Sequence, residues 1–214
     1  MALRSRGYDR CVTRIIAGAA RGHSLAVPKS GTRPTSDRVR EAMFSSLESL
    51  LDLGGIAVLD LYAGSGALAF EALSRGASTA VLVEQSKSAA NVLRANAELL
   101  ARVAREQGRR TVTSRIAQNS VSSFLRTPPG QLFELVFIDP PYELGEPELT
   151  EALDALVPHL APEAVVVIER GSRSPAPVVP ESFEALRRKS YGETIVYSYE
   201  ASPVEESDDE KSQA

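Results

Sequence analysis

Between residues 56 and 169 the chain alternates short, almost wholly apolar runs with stretches of helical periodicity, and few folds accept that pattern. The runs IAVLDL (56–61), TAVLVE (79–84), ELVFID (134–139) and AVVVIE (164–169) leave no polar face for water. Strands of that kind belong in a parallel sheet covered on both sides. A fifth run lies near 111–116, and helical stretches near 66–75, 86–107, 120–126 and 147–157 separate the five. After the Pro-rich loop 171–181, segments 183–191 and 194–200 read as an antiparallel pair at the sheet edge. The expected fold is α/β, a doubly wound, seven-stranded, mostly parallel sheet.

Ahead of the alternation, VTRIIA (12–17) and GHSLAV (22–27) flank a Gly/Ala turn and predict a small β-hairpin extension. A polar link follows. Val39, Met43, Leu47, Leu50 and Leu51 then recur at helical spacing, with Thr35 or Ser36 placed to cap the start and Gly54-Gly55 to end the helix. The expected organisation is a basic arm and hairpin over 1–34, a catalytic domain over 35–200 and a disordered acidic tail over 201–214.

Charge sharpens that division. Residues 1–40 hold nine Arg and Lys against two Asp, although the whole chain is net −4. A basic head on an acidic protein is a candidate footprint for a polyanion, or else a solvated tail. Cys11 is the single cysteine, which fits a reducing compartment. No apolar run approaches the ~18 residues of a membrane span, and the polar, basic first ten residues do not resemble a secretory signal. A cytoplasmic monomer with no membrane partner is expected. No metal-ligand spacing is evident, and His23 and His159 read as surface or loop histidines.

The first apolar strand runs into Asp60-Leu61-Tyr62-Ala63-Gly64-Ser65-Gly66. A Gly-x-Gly turn between strand and helix lets a ligand approach the backbone at the carboxyl edge of the sheet. The second strand ends in Glu84, where a carboxylate can accept from ribose hydroxyls. Positions 64–69 also satisfy the dinucleotide pattern G-x-G-x-x-A. Asp60, four residues before Gly64, would repel a pyrophosphate and suit an ammonium group, which favours S-adenosylmethionine over NAD.

The fourth strand ends in Asp139-Pro140-Pro141-Tyr142. The prolines fix the backbone and remove two N–H donors. The Asp139 carboxylate and the Pro140 carbonyl then offer two acceptors for the two hydrogens of an exocyclic amine. In-plane acceptors orient that amine and aim its lone pair at a methyl group, and Tyr142 offers a stacking face for an extruded base.

Together D-x-Y-A-G-S-G-A-L, the acid after the second strand, Asn119 after the third and DPPY after the fourth resemble a class I S-adenosylmethionine-dependent methyltransferase, Rossmann-like in fold. The block TRIIAG (13–18), Arg21-Gly22 and RPTSDRVRE (33–41) is similar to the RsmD family, over about residues 12–200. The resemblance implies methylation of N2 of one guanine in small-subunit (16S) ribosomal RNA, guanine 966 in standard numbering. It implies a cofactor site of Asp60, Tyr62, Ala63, Gly64, Ser65, Gly66, Glu84, Gln85, Asn119 and Ser120, and a base site of Asp139 through Tyr142. It also implies RNA contacts by Arg14, Arg21, Lys29, Arg33, Thr35, Arg38 and Arg40, with 16S RNA or the small subunit as partner.

DPPY is shared with adenine-N6 methyltransferases acting on DNA or RNA. The 72 residues after Tyr142 leave no room for a DNA target-recognition domain. A protein-glutamine methyltransferase usually carries Asn in place of Asp139. A dehydrogenase leaves DPPY unexplained, and a non-catalytic RNA-binding module leaves Asp60 and DPPY unexplained.

Overall fold

A computed structural model describes residues 12–28, 36–108 and 112–202. A two-stranded antiparallel hairpin, β1 (Val12–Arg14) and β2 (Ser24–Ala26), precedes helix α1 (Asp37–Leu47). Then follow β3 (Ala57–Leu61), α2 (Ala67–Arg75), β4 (Thr79–Val83), α3 (Lys87–Glu106), β5 (Thr113–Ala117), α4 (Val121–Leu125), β6 (Phe133–Ile138), α5 (Glu146–Leu156), β7 (Leu160–Gly171), β8 (Phe183–Tyr191) and β9 (Thr194–Ala201). Seven strands form one sheet in the order β5-β4-β3-β6-β7-β9-β8. The five from β5 to β7 are parallel, and β9 and β8 add antiparallel at one edge.

Strand alternation sorts the core into two layers. Val58, Leu82, Leu135, Phe137, Val165 and Val167 face α1, α2, α3 and the hairpin. Leu59, Leu61, Val136, Ile138, Val166 and Ile168 face α4 and α5. Both layers are buried and apolar, as the apolar runs require.

The hairpin shares the first layer, since Ile15, Ala20 and Leu25 are buried within it. Its strands are three residues long rather than six because their continuation bonds elsewhere. Ile16 and Ala17 donate their N–H groups to the Glu71 carboxylate of α2 at 2.7 and 3.0 Å. Gly18, at φ 78, lies so close to α2 that a Cβ would stand 1.9 Å from the Ser74 carbonyl.

Glu71 is fully buried and also accepts from Arg75 Nε at 2.8 Å. Arg40 of α1 comes to 4.0 Å from it. Arg40 itself is 0% exposed and donates to Thr13 Oγ1 at 2.7 Å, to Asp37 Oδ1 at 3.0 Å and to the Arg14 carbonyl. This overturns the expectation that Arg40 meets RNA. A guanidinium stays buried only when its charge is answered nearby, and here Asp37 and Glu71 answer it.

Two further expectations, the end of α1 and the setting of His159, are corrected. Helix α1 stops at Leu47 rather than at Gly54-Gly55, because Ser49 and Leu50 donate to the carbonyls of Ser46 and Leu47 and tighten the chain into i→i+3 turns. Of the two expected caps, Ser36 takes the place, with Oγ accepting from Val39 N at 3.3 Å. His159 is buried, stacked on Phe124, with Nε2 3.0 Å from the Leu125 carbonyl.

Removing one partner from a buried ion pair strands the other charge, at a cost of about 3–5 kcal/mol. Arg40→Ala should lower the unfolding free energy by about that amount in urea denaturation, with the exposed Arg38→Ala within about 0.5 kcal/mol of wild type.

Candidate active site

In an open α/β sheet, ligands bind beyond the carboxyl ends of the strands where the strand order reverses. Here β3 pairs with β4 on one side and β6 on the other. A cleft of about 870 Å³ opens above that point, within the range of small-molecule sites. It runs from the Gly64 loop and Glu84 to the DPPY segment and the end of β7.

The Gly64 loop is fixed from below. Ala63 N donates to the Val83 carbonyl at 3.0 Å, and Gly66 N to the Ala63 carbonyl at 2.6 Å. Tyr62, with φ 62, adopts a backbone conformation rare for a side chain of its size, which such fixation sustains. Gly66 caps α2 with φ 76, and a Cβ there would meet Phe70 at 2.4 Å and Leu93 at 2.7 Å. Only glycine fits.

Glu84 joins the loop to the end of β4. Its Oε2 accepts from Gly64 N at 3.1 Å and its Oε1 from Ser86 N at 2.7 Å. A carboxylate accepts about four hydrogen bonds, so capacity remains on the cleft side that Glu84 lines.

Asp60 has a different place from the one expected. It is 2% exposed, does not line the cleft, and accepts from Ala69 N at 3.2 Å. Gly66 offers no side-chain cap to α2, and Asp60 supplies it from the neighbouring strand. Its Oδ2 therefore faces the first turn of α2. Burial, with the Glu84 charge nearby, raises its pKa to about 8 despite the Ala69 hydrogen bond.

Of the other expected cofactor residues, Tyr62, Gly64, Glu84, Gln85, Asn119 and Ser120 line the cleft. Ala63, Ser65 and Gly66 stand behind it as the loop's frame. Ser65 is held through its carbonyl by Asn96 Nδ2 at 3.0 Å, and the same amide bonds both backbone groups of Ala26 in β2. Helix α4 starts at the cleft, capped by Ser120 Oγ accepting from Ser123 N at 3.2 Å.

Asp139, Pro140, Pro141 and Tyr142 line the opposite half. Tyr142 is 77% exposed, with its ring edge 3.4 Å from where a Cβ on Gly171 would stand. Burial raises the Asp139 pKa well above the ordinary carboxylate range, and the charges of Glu169 and Asp60 add to it.

Sequence reading passed over Glu169 and Arg170, which line this half at the end of β7. The signal was present: AVVVIE ends in an acid just as TAVLVE and ELVFID do. Arg170 is buried and bonds Glu146 at the start of α5.

The expected RNA contacts divide. Arg14, Arg21 and Arg38 are exposed, with Arg14 Nε 3.6 Å from Asp37. Arg40 is internal, as above. Lys29, Arg33 and Thr35 lie outside the described residues, between Pro28, which lines the cleft, and Ser36.

The family described as Conserved hypothetical protein 95 matches residues 13–200. Ribosomal RNA small subunit methyltransferase D of Escherichia coli (strain K12) is 36% identical over 198 residues, covering 91% of this chain and 93% of that one. The chain belongs to the RsmD family. A solved family structure, yhhF from Escherichia coli, superposes with a TM-score of 0.76 at 32% identity, over 90% of this chain and 99% of that one. The rRNA methyltransferase aviRa from Streptomyces viridochromogenes shares the fold alone, with a TM-score of 0.59 at 18% identity over 79% and 86% of the two chains. The RsmD family architecture seen here is that of class I methyltransferases, with the hairpin added at the N-terminus.

A buried carboxyl whose pKa rises from 3.8 to about 8 on folding stabilises the fold fully below pH 3.8, and that stability is lost as pH climbs through 8. Asp60→Asn keeps an oxygen acceptor for Ala69 and has no proton to lose. Its unfolding free energy should therefore exceed that of wild type by a margin that widens between pH 4 and 8, on the order of a few kcal/mol at the upper end. Calorimetry across that range measures it, and a constant margin refutes the assignment.

Proposed function

We propose that this chain transfers a methyl group from S-adenosylmethionine to the exocyclic N2 of a guanine in small-subunit (16S) ribosomal RNA, guanine 966 in standard numbering. The observation that carries the reading is one cleft with the Gly64–Glu84 loop at one end and Asp139-Pro140-Pro141-Tyr142 at the other. The name of the Escherichia coli relative supports ribosomal RNA as the substrate class.

The cleft's own chemistry fits this cofactor. Burial and mutual repulsion raise Asp139 beside Glu169 and Asp60, so a cationic ligand relieves an existing strain. Glu84, Gly64 and Asn119 supply acceptors and close backbone approach for ribose and adenine. When bound, S-adenosylmethionine supplies the methyl group on a sulfonium.

The chain's residues do the rest. Tyr142 presents an exposed ring on which an extruded guanine stacks. Asp139 and the Pro140 carbonyl accept the two N2 hydrogens and turn the nitrogen lone pair toward the methyl group. Transfer of the methyl group from sulfur to N2 leaves a proton to be shed from N2, and Asp139, more basic than a surface carboxylate, would receive it. Exposed Arg14, Arg21 and Arg38 on the hairpin and α1 meet RNA phosphates.

Asp139→Ala should keep cofactor affinity within a few-fold and slow single-turnover methylation by at least ~10²-fold, the scale for losing a pre-organised transition-state group. Asp139→Asn should fall between Ala and wild type. An undiminished rate in Asp139→Ala would reduce DPPY to a structural turn.

Phosphate contacts release counterions, so RNA affinity should fall steeply with salt. Neutralising Arg21 and Arg38 together should flatten the log–log slope by about 2. An unchanged slope would move the RNA footprint elsewhere.

A further inference from the structure

Three carboxylates stand in a row along the carboxyl edge of the sheet. Strands β6 and β7 run in parallel register with Ile138 opposite Ile168, so the next residues, Asp139 and Glu169, are neighbours. Both follow the alternation of Phe137 and Val167 and fall on the same face of the sheet. Asp60 lies on that face too, two residues lower, opposite Phe137. Asp60 is occupied by α2, whereas Asp139 and Glu169 both line the cleft. Behind them Arg170 is 7% exposed, and its Nε has no hydrogen-bond partner among the described residues.

A purine amine in DPPY is only half recognised. Guanine N2 and adenine N6 are both planar exocyclic amines, and two acceptors suit either. The atom beside the amine differs. Guanine carries a donor, N1–H, where adenine carries a bare N1 lone pair. A carboxylate next to the amine-binding carboxylate accepts from the first and repels the second.

We propose that Glu169 reads the base: with the amine on Asp139 and the Pro140 carbonyl, Glu169 accepts the hydrogen bond from guanine N1 and excludes purines whose N1 is an acceptor. This rests on the guanine-N2 reading above and supplies the selectivity that DPPY lacks. A site built to hydrogen-bond one substrate group discriminates strongly against analogues that lack it, because its own polar group is then left unpaired. Gln in place of Glu169 can turn its amide N–H toward a bare N1 and so tolerates both purines.

The test uses the full chain and small-subunit RNA carrying either guanine or 2-aminopurine at the target position. 2-Aminopurine keeps the N2 amine but has an acceptor at N1. Wild type should methylate guanine at least ~10- to 100-fold more efficiently in kcat/KM, the range for a charge-assisted hydrogen bond. Glu169→Gln should collapse that ratio to within a few-fold, while Glu169→Ala lowers the guanine rate. A residue that only supports the fold would lower both substrates alike. An unchanged ratio in Glu169→Gln, or no discrimination by wild type, overturns the inference and leaves the guanine reading standing. Mapping of the methyl group to adenine instead of guanine overturns both.

Discussion

The cleft depends on the parallel pairing of β3 with β4 on one side and β6 on the other. Those neighbours bring their crossover helices to opposite faces of the sheet, so the carboxyl ends of the strands part at the centre. Every residue assigned to cofactor or base follows one of these strand ends: Gly64 after β3, Glu84 after β4, Asn119 after β5, Asp139 after β6 and Glu169 at the end of β7. Register, rather than loop design, sets their spacing. A slip of one residue in β6 would carry Asp139 to the opposite face and place it against α5.

A second constraint lies at the other end of α2. Glu71 gathers two hairpin amides and Arg75, with Arg40 at 4.0 Å, in a fully buried setting. Burying that carboxylate is costly unless its hydrogen bonds are complete, and the hairpin is what completes them. Asn96 makes a parallel link, bonding β2 and the Ser65 carbonyl with one amide. The hairpin and the Gly64 loop are thus braced through α2 and α3.

Much of this was legible in the sequence. The apolar runs placed the parallel strands within one to four residues at each end, and the loop Gly64-Ser65-Gly66 marked the start of α2 because a turn so tight excludes side chains. DPPY marked itself through paired prolines after a strand. What failed did so for a common reason: its cause is distant in the chain. Arg40 reads as a surface cation because its burial depends on Glu71, thirty-one residues later. Asp60 reads as a ligand group because the helix it caps begins only after the loop. His159 reads as exposed because Phe124 and Leu125, which enclose it, belong to another helix. Local pattern predicts elements well, but the fate of a charged or polar side chain is decided by whichever partner the fold brings to it.

The close approach of Gly18 to Ser74 carries a consequence for anyone shortening or grafting this chain. With the turn pressed against the α2 backbone and Ile15 and Leu25 in the main core, the hairpin is a wall of the building rather than a porch. A cut between residues 34 and 35 would open apolar surface on α2 and α3 and leave the Glu71 carboxylate and the Ser74 hydroxyl facing a void. The smallest piece that can hold the cleft in shape therefore includes the hairpin, and swapping N-terminal segments between relatives requires carrying the underside of the hairpin unchanged while altering only its outward face.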